Sequence, residues 1–166
     1  MENYIVINGR KAELTEEQLK ALGIETEKES LFDRVTYWWG KYYTIADNGE
    51  IEHLLEGDDS IHDERHKVAN YCTDRELLQQ QAYRETLNRL LWRYSMEHDG
   101  DKIDWGDTDE LKYYIYYSHN YISFSVGYTS YAKSFERVYF HTAKIAENAI
   151  EEIIEPFMAE HPDFKW

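Results

Sequence analysis

Residues 73 to 97 read as one long helix, and whatever else the chain builds has to be laid against it. Thr73 and Glu76 have the Thr-x-x-Glu spacing of a capping box, in which each side chain takes a backbone donor that the first turn leaves open. Beyond them Tyr83, Leu87, Leu90, Leu91 and Tyr94 recur on one face, while Leu78, Ala82, Trp92 and Met96 fall on a second. Two apolar stripes on a single helix predict burial on two sides.

The flanking sequence reads mostly as sheet. Tyr4 to Ile7, an Asn8-Gly9 turn, and a helix opened by Thr15 with Gln18 and stopped near Gly23 form a small strand-strand-helix module. Glu25 to Ser30 has no apolar residue and reads as a linker. Lys41 to Ala46 and Glu50 to Leu55 flank Asp47-Asn48-Gly49, whose residues tolerate positive φ, so a hairpin is expected. Polar Glu56 to Arg65 reads as a loop and Lys67 to Cys72 as a short strand feeding the long helix, with Gly100 ending that helix. Three further strands are expected at Lys112 to Ser118, Ile122 to Tyr128 and Arg137 to Phe140. In the middle one Ile122, Phe124, Val126 and Tyr128 alternate with Ser123, Ser125, Gly127 and Thr129, so one face should be buried. A last helix at about 142 to 158 carries Ile145, Ala146, Ala149, Ile150, Ile153, Ile154, Phe157 and Met158 as one stripe, with Pro156 imposing a kink or an end.

Asn70 to Leu78 and Val138 to Ala146 echo each other, each running from a strand end through a Thr cap into an amphipathic helix. The expectation is an α+β fold: a mixed or antiparallel sheet of about five to six strands covered by two long helices. The small N-terminal module occupies 1–30 and the main domain 31–166, where the echo allows two hairpin-strand-helix halves.

A chain of 166 residues fits one ordinary core, and 42% hydrophobic residues, many of them aromatic, exclude general disorder. No apolar run approaches the roughly 20 residues that span a bilayer, and the opening Met-Glu-Asn-Tyr-Ile lacks a basic leader, so a cytosolic protein is expected. Cys72 is the lone cysteine, which excludes an internal disulfide and a cysteine zinc cage and reads as core filling. The net charge of −15, from 33 acidic against 18 basic residues, disfavours direct nucleic-acid binding and points to basic partners, although solubility alone also accounts for it.

Little in the sequence carries catalysis. His62 and His66 share a helical spacing, but Asp63 rather than Glu follows the first, and a solvated loop is the simpler reading. There is no Gly-x-Ser-x-Gly elbow and no phosphate-cradling glycine loop, so neither a catalytic residue, a cofactor nor a metal is assigned. Two stretches stand out as surfaces. With Glu97, the segment Asp99, Asp101, Asp104, Asp107, Asp109 and Glu110 places seven acids in fourteen residues, and Trp105 among them could anchor a partner. The spacing does not match a calcium loop, since Ile103 stands where a third ligand is required. Glu147, Glu151, Glu152 and Glu155 also share a polar face, as acids on any solvated amphipathic helix do. Residues 111 to 141 hold eight tyrosines with Lys112, Lys133 and Arg137; Tyr114, Tyr116, Tyr128 and Tyr131 form a second candidate surface, against the simpler reading that such tyrosines cover the core.

Leu31-Phe-Asp-Arg-Val35, Asn70-Tyr-Cys-Thr-Asp74, Glu85 to His98, Gly100-Asp-Lys-Ile-Asp-Trp105 and Glu155 to Trp166 resemble a group of small uncharacterised proteins encoded by phages and prophages of Gram-positive, gut-associated bacteria. The likeness runs through most of residues 31 to 166. None of these pieces is a catalytic motif, and Arg65 to Tyr71 departs from the Arg-Tyr-x-x-Gly-Asn-Tyr run usual in that group. The resemblance implies an accessory protein acting in the cytoplasm of an infected or lysogenic host. The leading expectation is a non-enzymatic protein that binds and inhibits a host protein, such as a CRISPR nuclease, through its acidic surface. A phage structural or replication accessory is the alternative, and a hydrolase or nucleotide-binding enzyme a third class.

Overall fold

The structure, a computed structural model, describes residues 4–7, 10–13, 15, 18, 30–35 and 39–165. The chain divides into two compact units, Met1–Asp33 and Arg34–Trp166. In the first, β1 (Tyr4–Ile7) and β2 (Arg10–Glu13) pair antiparallel, with Tyr4 opposite Glu13 and Ile7 opposite Arg10. Thr15 and Gln18 form the reciprocal capping pair: Thr15 N–H donates to Gln18 Oε1 at 2.9 Å and Gln18 N–H to Thr15 Oγ1 at 3.3 Å. The turn expected at Asn8-Gly9, the helix end near Gly23 and most of the linker lie outside the described residues.

The second unit opens with β3 (Lys41–Ile45) and β4 (Ile51–Leu55), joined through Gly49 at φ 86°. Next comes α1 (Ser60–Lys67), where the polar sequence predicts a loop. The helix buries none of its residues, so it has no apolar stripe to reveal it. Its signals are local: Asp59 accepts from Ile61 N–H at 3.1 Å, and Arg65, His66 and Lys67 lie in the last turn, where cations favour the helix dipole.

The long helix α2 (Arg75–Glu97) is capped one residue later than expected: Asp74 Oδ1 takes the N–H groups of Glu76 and Leu77, at 2.9 and 3.0 Å. Two-sided burial holds in its first half, where Leu78 and Ala82 are buried, and α2 contacts both β3 and β4. Farther along, Trp92 and Met96 of the same stripe are exposed. At the end Asp99, not Gly100, takes the left-handed conformation, with φ 65°. Gly100 starts a 3₁₀ turn (Gly100–Lys102) and is buried against Ser95.

Strands β5 (Lys112–Ser118) and β6 (Ser123–Thr129) form a third hairpin. Phe124 and Val126 pack on the core as their alternation predicts, whereas Ile122 lies before the strand at φ 52° and is exposed, as is Tyr128. The chain then runs through α3 (Ala143–Ala149), a π-helical turn (Ile150–Ile154) and α4 (Glu155–Glu160). Thr142 caps α3 by accepting from Ile145 N–H at 3.2 Å. Pro156, which lacks an N–H, is taken into the first turn of α4 directly after the widened turn.

The fold is therefore α+β, but a sheet of five or six strands is not what the chain builds. Among the described residues there are three separate two-stranded antiparallel sheets. The strands expected at 67–72 and 137–140 shrink to single bridges, Tyr43 with Cys72 and Tyr113 with Phe140. Ala69 (φ 58°) and Glu136 (φ 64°) are left-handed, which takes the backbone off the extended path just before each bridge. In both places the helix cap, Asp74 or Thr142, follows the bridging residue by two, so the echo in the sequence reappears as two hairpin-bridge-helix units. The main core joins Leu87, Leu91 and Tyr94 of α2 to Phe140, Ala146, Ala149, Ile154, Phe157 and Phe164.

Candidate functional site

The acidic segment between α2 and β5 is a loop folded around one buried cation. Lys112 opens β5 fully buried, and its Nζ donates to the carbonyls of Asp107 and Glu110, with the Glu110 carboxylate 3.5 Å away. The aspartates brace the same loop. Asp104 Oδ1 accepts from Gly106 N–H at 2.7 Å, Asp107 Oδ1 from Asp109 N–H at 2.8 Å and Glu110 N–H at 3.3 Å, and Asp104 N–H donates to Glu110 Oε2 at 2.9 Å. Glu110 Oε1 also lies 3.3 Å from His141 Nδ1. Asp99 pairs with Lys102 at 2.7 Å, and that contact holds the Asp99 carboxyl below its ordinary range. Asp99, Asp101, Asp104, Asp107 and Asp109 are all exposed, whereas Glu110 is half-buried.

Trp105 is half-buried too. Its ring meets Tyr139 edge to face at 4.8 Å, with the Lys133 ammonium 5.1 Å from its centroid. The exposed apolar groups beside it are Trp92 and Met96, which line the same groove. Sequence patterning assigned both to a buried helix face and so missed them as surface.

The four tyrosines do not share one environment. Tyr114 is half-buried over Gly127, where a Cβ would stand 2.8 Å from its ring, and Arg137 stacks on it at 3.9 Å. Tyr116 is exposed on β5, while Tyr128 and Tyr131 are 66% and 84% exposed. Tyr131 belongs to a larger set: Phe135, Tyr131, Tyr121 and Ile122 are the four most exposed large apolar side chains among the described residues. Sequence reading passed over Phe135 and Tyr121 and placed Ile122 on a buried strand face.

A third constellation joins the β3–β4 hairpin to α1. Tyr71, fully buried, donates its hydroxyl to Glu56 Oε2 at 2.6 Å and accepts from Val35 N–H at 2.9 Å. Arg34 donates to Glu56 Oε1 through Nε at 3.0 Å and through its second amino group at 2.7 Å, and also reaches Asp63. The Tyr42 ring stacks on Tyr71 at 4.0 Å, with its hydroxyl 2.6 Å from His62 Nδ1. Burial disfavours the Glu56 charge, but the hydrogen bonds from Arg34 and Tyr71 outweigh it and hold the carboxyl below its ordinary value. Burial and the Glu56 carboxylate push the Tyr71 phenol well up. A carboxylate held ionised and a phenol held protonated are poor proton carriers near neutral pH, so this cluster works as a clamp between β4, α1 and the Cys72 bridge. Of the histidine pair on α1, His62 faces Tyr42 and the His66 ring meets Tyr71 edge to face at 5.5 Å. Among the described residues no three His, Cys, Asp or Glu side chains converge as a metal site, and no helix is long and apolar enough to cross a membrane.

No protein-family model, curated protein or solved structure matches this chain.

Proposed function

We propose that the protein is a non-enzymatic accessory protein of phage type that binds a basic surface of a host protein and blocks it. The observation that carries this reading is the acidic loop: Asp101, Asp104, Asp107 and Asp109 are exposed on a segment held in shape by its own carboxylates and by the buried Lys112. Charges fixed by a folded loop lose little freedom on docking, and a partner with a basic nucleic-acid-binding face gains complementarity and a faster encounter. The partner class this favours is nucleic-acid-targeting host machinery, CRISPR nucleases included.

The test uses asparagine, which keeps the acceptor oxygen of Asp104 and Asp107 and removes only charge. With a partner captured from host lysate, D101N, D104N, D107N and D109N combined should slow association and flatten its salt dependence while the fold is kept. Unchanged association and salt dependence in that variant would remove the acidic loop from the interface.

A further inference from the structure

The outer edge of β5 is open where the matching edge of β3 is closed. In an antiparallel ladder the N–H and C=O of one residue point to the same side, and successive residues alternate. Tyr113 exchanges both bonds with Phe140, so Tyr113, Ile115 and Tyr117 direct their backbone groups away from β6, while Tyr114 and Tyr116 direct theirs into the ladder. On β3 the same alternation sends the groups of Tyr43 and Ile45 outward; Cys72 takes the first, and the Asn70 side-chain amide takes the second. Two residues before the second bridge stands Val138, at the place that Asn70 holds before the Cys72 bridge, and a valine side chain carries no amide. No hydrogen bond from the described residues reaches the outward groups of Ile115 or Tyr117.

A cleft of about 410 Å³ lies along this edge, lined by Ile115 and Tyr117 on β5, by residues 134–138 across from them, and by Asn88 and Leu91 of α2. Glu136, at φ 64°, bends the facing segment out of the path that would have closed it. We propose that the cleft binds one extended peptide segment of a partner protein, which joins β5 as an added strand. A peptide backbone is the ligand that offers donors and acceptors at the two-residue repeat set by Ile115 and Tyr117. Its side chains facing Leu91, Val138 and Phe140 are apolar, since those residues line the cleft. The remaining ones are neutral or basic: Arg137 is already stacked on Tyr114, and the chain as a whole carries −15. A second copy of this chain fits less well, because its own β5 comes with β6 and the 134–138 segment attached.

The probe is an acetylated, amidated heptapeptide alternating valine with lysine and threonine, added to the full chain while amide exchange is followed residue by residue. The expected result is slowed exchange at the Ile115 and Tyr117 amides only, since those of Tyr114 and Tyr116 are protected before the peptide is added. The same peptide N-methylated at every residue should give no slowing. Tyr117→Pro removes one outward donor without touching the β6 ladder and should weaken binding by about tenfold or more; if that variant does not fold, the wild-type exchange pattern still decides. The proposal is overturned if the peptide leaves both amides unchanged at its highest soluble concentration, or if the methylated peptide binds equally well. Slowing that grows with protein concentration alone would assign the edge to a second copy and overturn it as well. None of these readings depends on the acidic loop.

Discussion

The side-chain amide of Asn70 stands in for a neighbouring strand at Ile45, accepting its N–H at 2.7 Å and donating to its C=O at 2.9 Å. The pair extends the edge that the Cys72 bridge begins, and it fixes which way the amide points, since only one orientation satisfies both bonds. Asn70→Ala removes both partners from a half-buried strand edge and should lower the free energy of unfolding by about 1–3 kcal/mol, read from urea midpoints. Asn70→Asp keeps the acceptor but sets a carboxylate against the Ile45 carbonyl, and should cost at least as much at neutral pH. A variant as stable as the parent would mean that water replaces the amide without loss.

The Glu56 clamp makes a prediction about pH. The folded-state pKa of Glu56 lies below its unfolded value, so its contribution is fully present above the ordinary carboxylate range and is lost as pH falls through the folded pKa. Tyr71→Phe deletes the phenol that donates to Glu56 and accepts from Val35, and should destabilise the protein by about 1–3 kcal/mol at neutral pH. Without that donor the folded pKa of Glu56 rises, so the part of the deficit that comes from the Glu56 bond should shrink as both proteins are acidified and the carboxyl protonates. A deficit that stays constant from neutral pH down through the folded pKa of Glu56, below the ordinary carboxylate range, would place the whole loss in the Val35 bond and in packing.

Gly100 is needed for closeness rather than for an unusual backbone. A Cβ there would stand 2.6 Å from the Ser95 carbonyl oxygen, and Ser95 is itself fixed by a 2.6 Å hydrogen bond from its hydroxyl to Tyr139 O. Gly100→Ala should therefore cost about 1–3 kcal/mol, although alanine is a better residue than glycine in most helical turns. The left-handed residue next to it predicts the opposite sign: Asp99→Gly should be close to neutral or mildly stabilising, with the loss of the exposed Lys102 pair set against relief at φ 65°. Thermal melts of the two variants would separate these roles.

What the sequence made legible was mostly what leaves a repeated or local mark, although the stripe through Trp92 and Met96 and the alternation at Ile122 misled. The stripe on the last helix, the Asp47-Asn48-Gly49 hairpin and the Thr142 cap could all be read because each leaves a repeated or local mark. Failures came where a mark was absent or ambiguous. Helix α1 buries nothing, so no stripe exposed it. Thr73 and Asp74 both suit a cap, and the structure uses Asp74. The short strands at 67–72 and 137–140 were lost to left-handed backbone at Ala69 and Glu136, residues whose type gives no warning of it. Of the candidate surface, the exposed carboxylates of the acidic loop were readable from charge density. The part played by Lys112 was not, because burial of a lysine depends on carbonyls brought in by the fold.

Ile122 closes the β5–β6 turn at φ 52°, a conformation in which a β-branched side chain crowds the backbone and which costs about 1–2 kcal/mol relative to a residue that adopts it freely. The strain is not offset by packing, since Ile122 is 79% exposed. Glycine relieves the strain but adds about 0.5–1 kcal/mol of chain entropy in the unfolded state, whereas asparagine tolerates the left-handed region with less of that penalty. Ile122→Gly should therefore raise stability by at most about 1 kcal/mol and Ile122→Asn by about the same or slightly more, with urea m-values unchanged because little surface is involved. Ile122→Val, still β-branched and still exposed, should leave the midpoint where it is. If both Gly and Asn lower stability while Val does not, the isoleucine side chain is making a contact that its exposure conceals, and the hairpin tip with Tyr121 would have to be treated as a packed element instead of a free one.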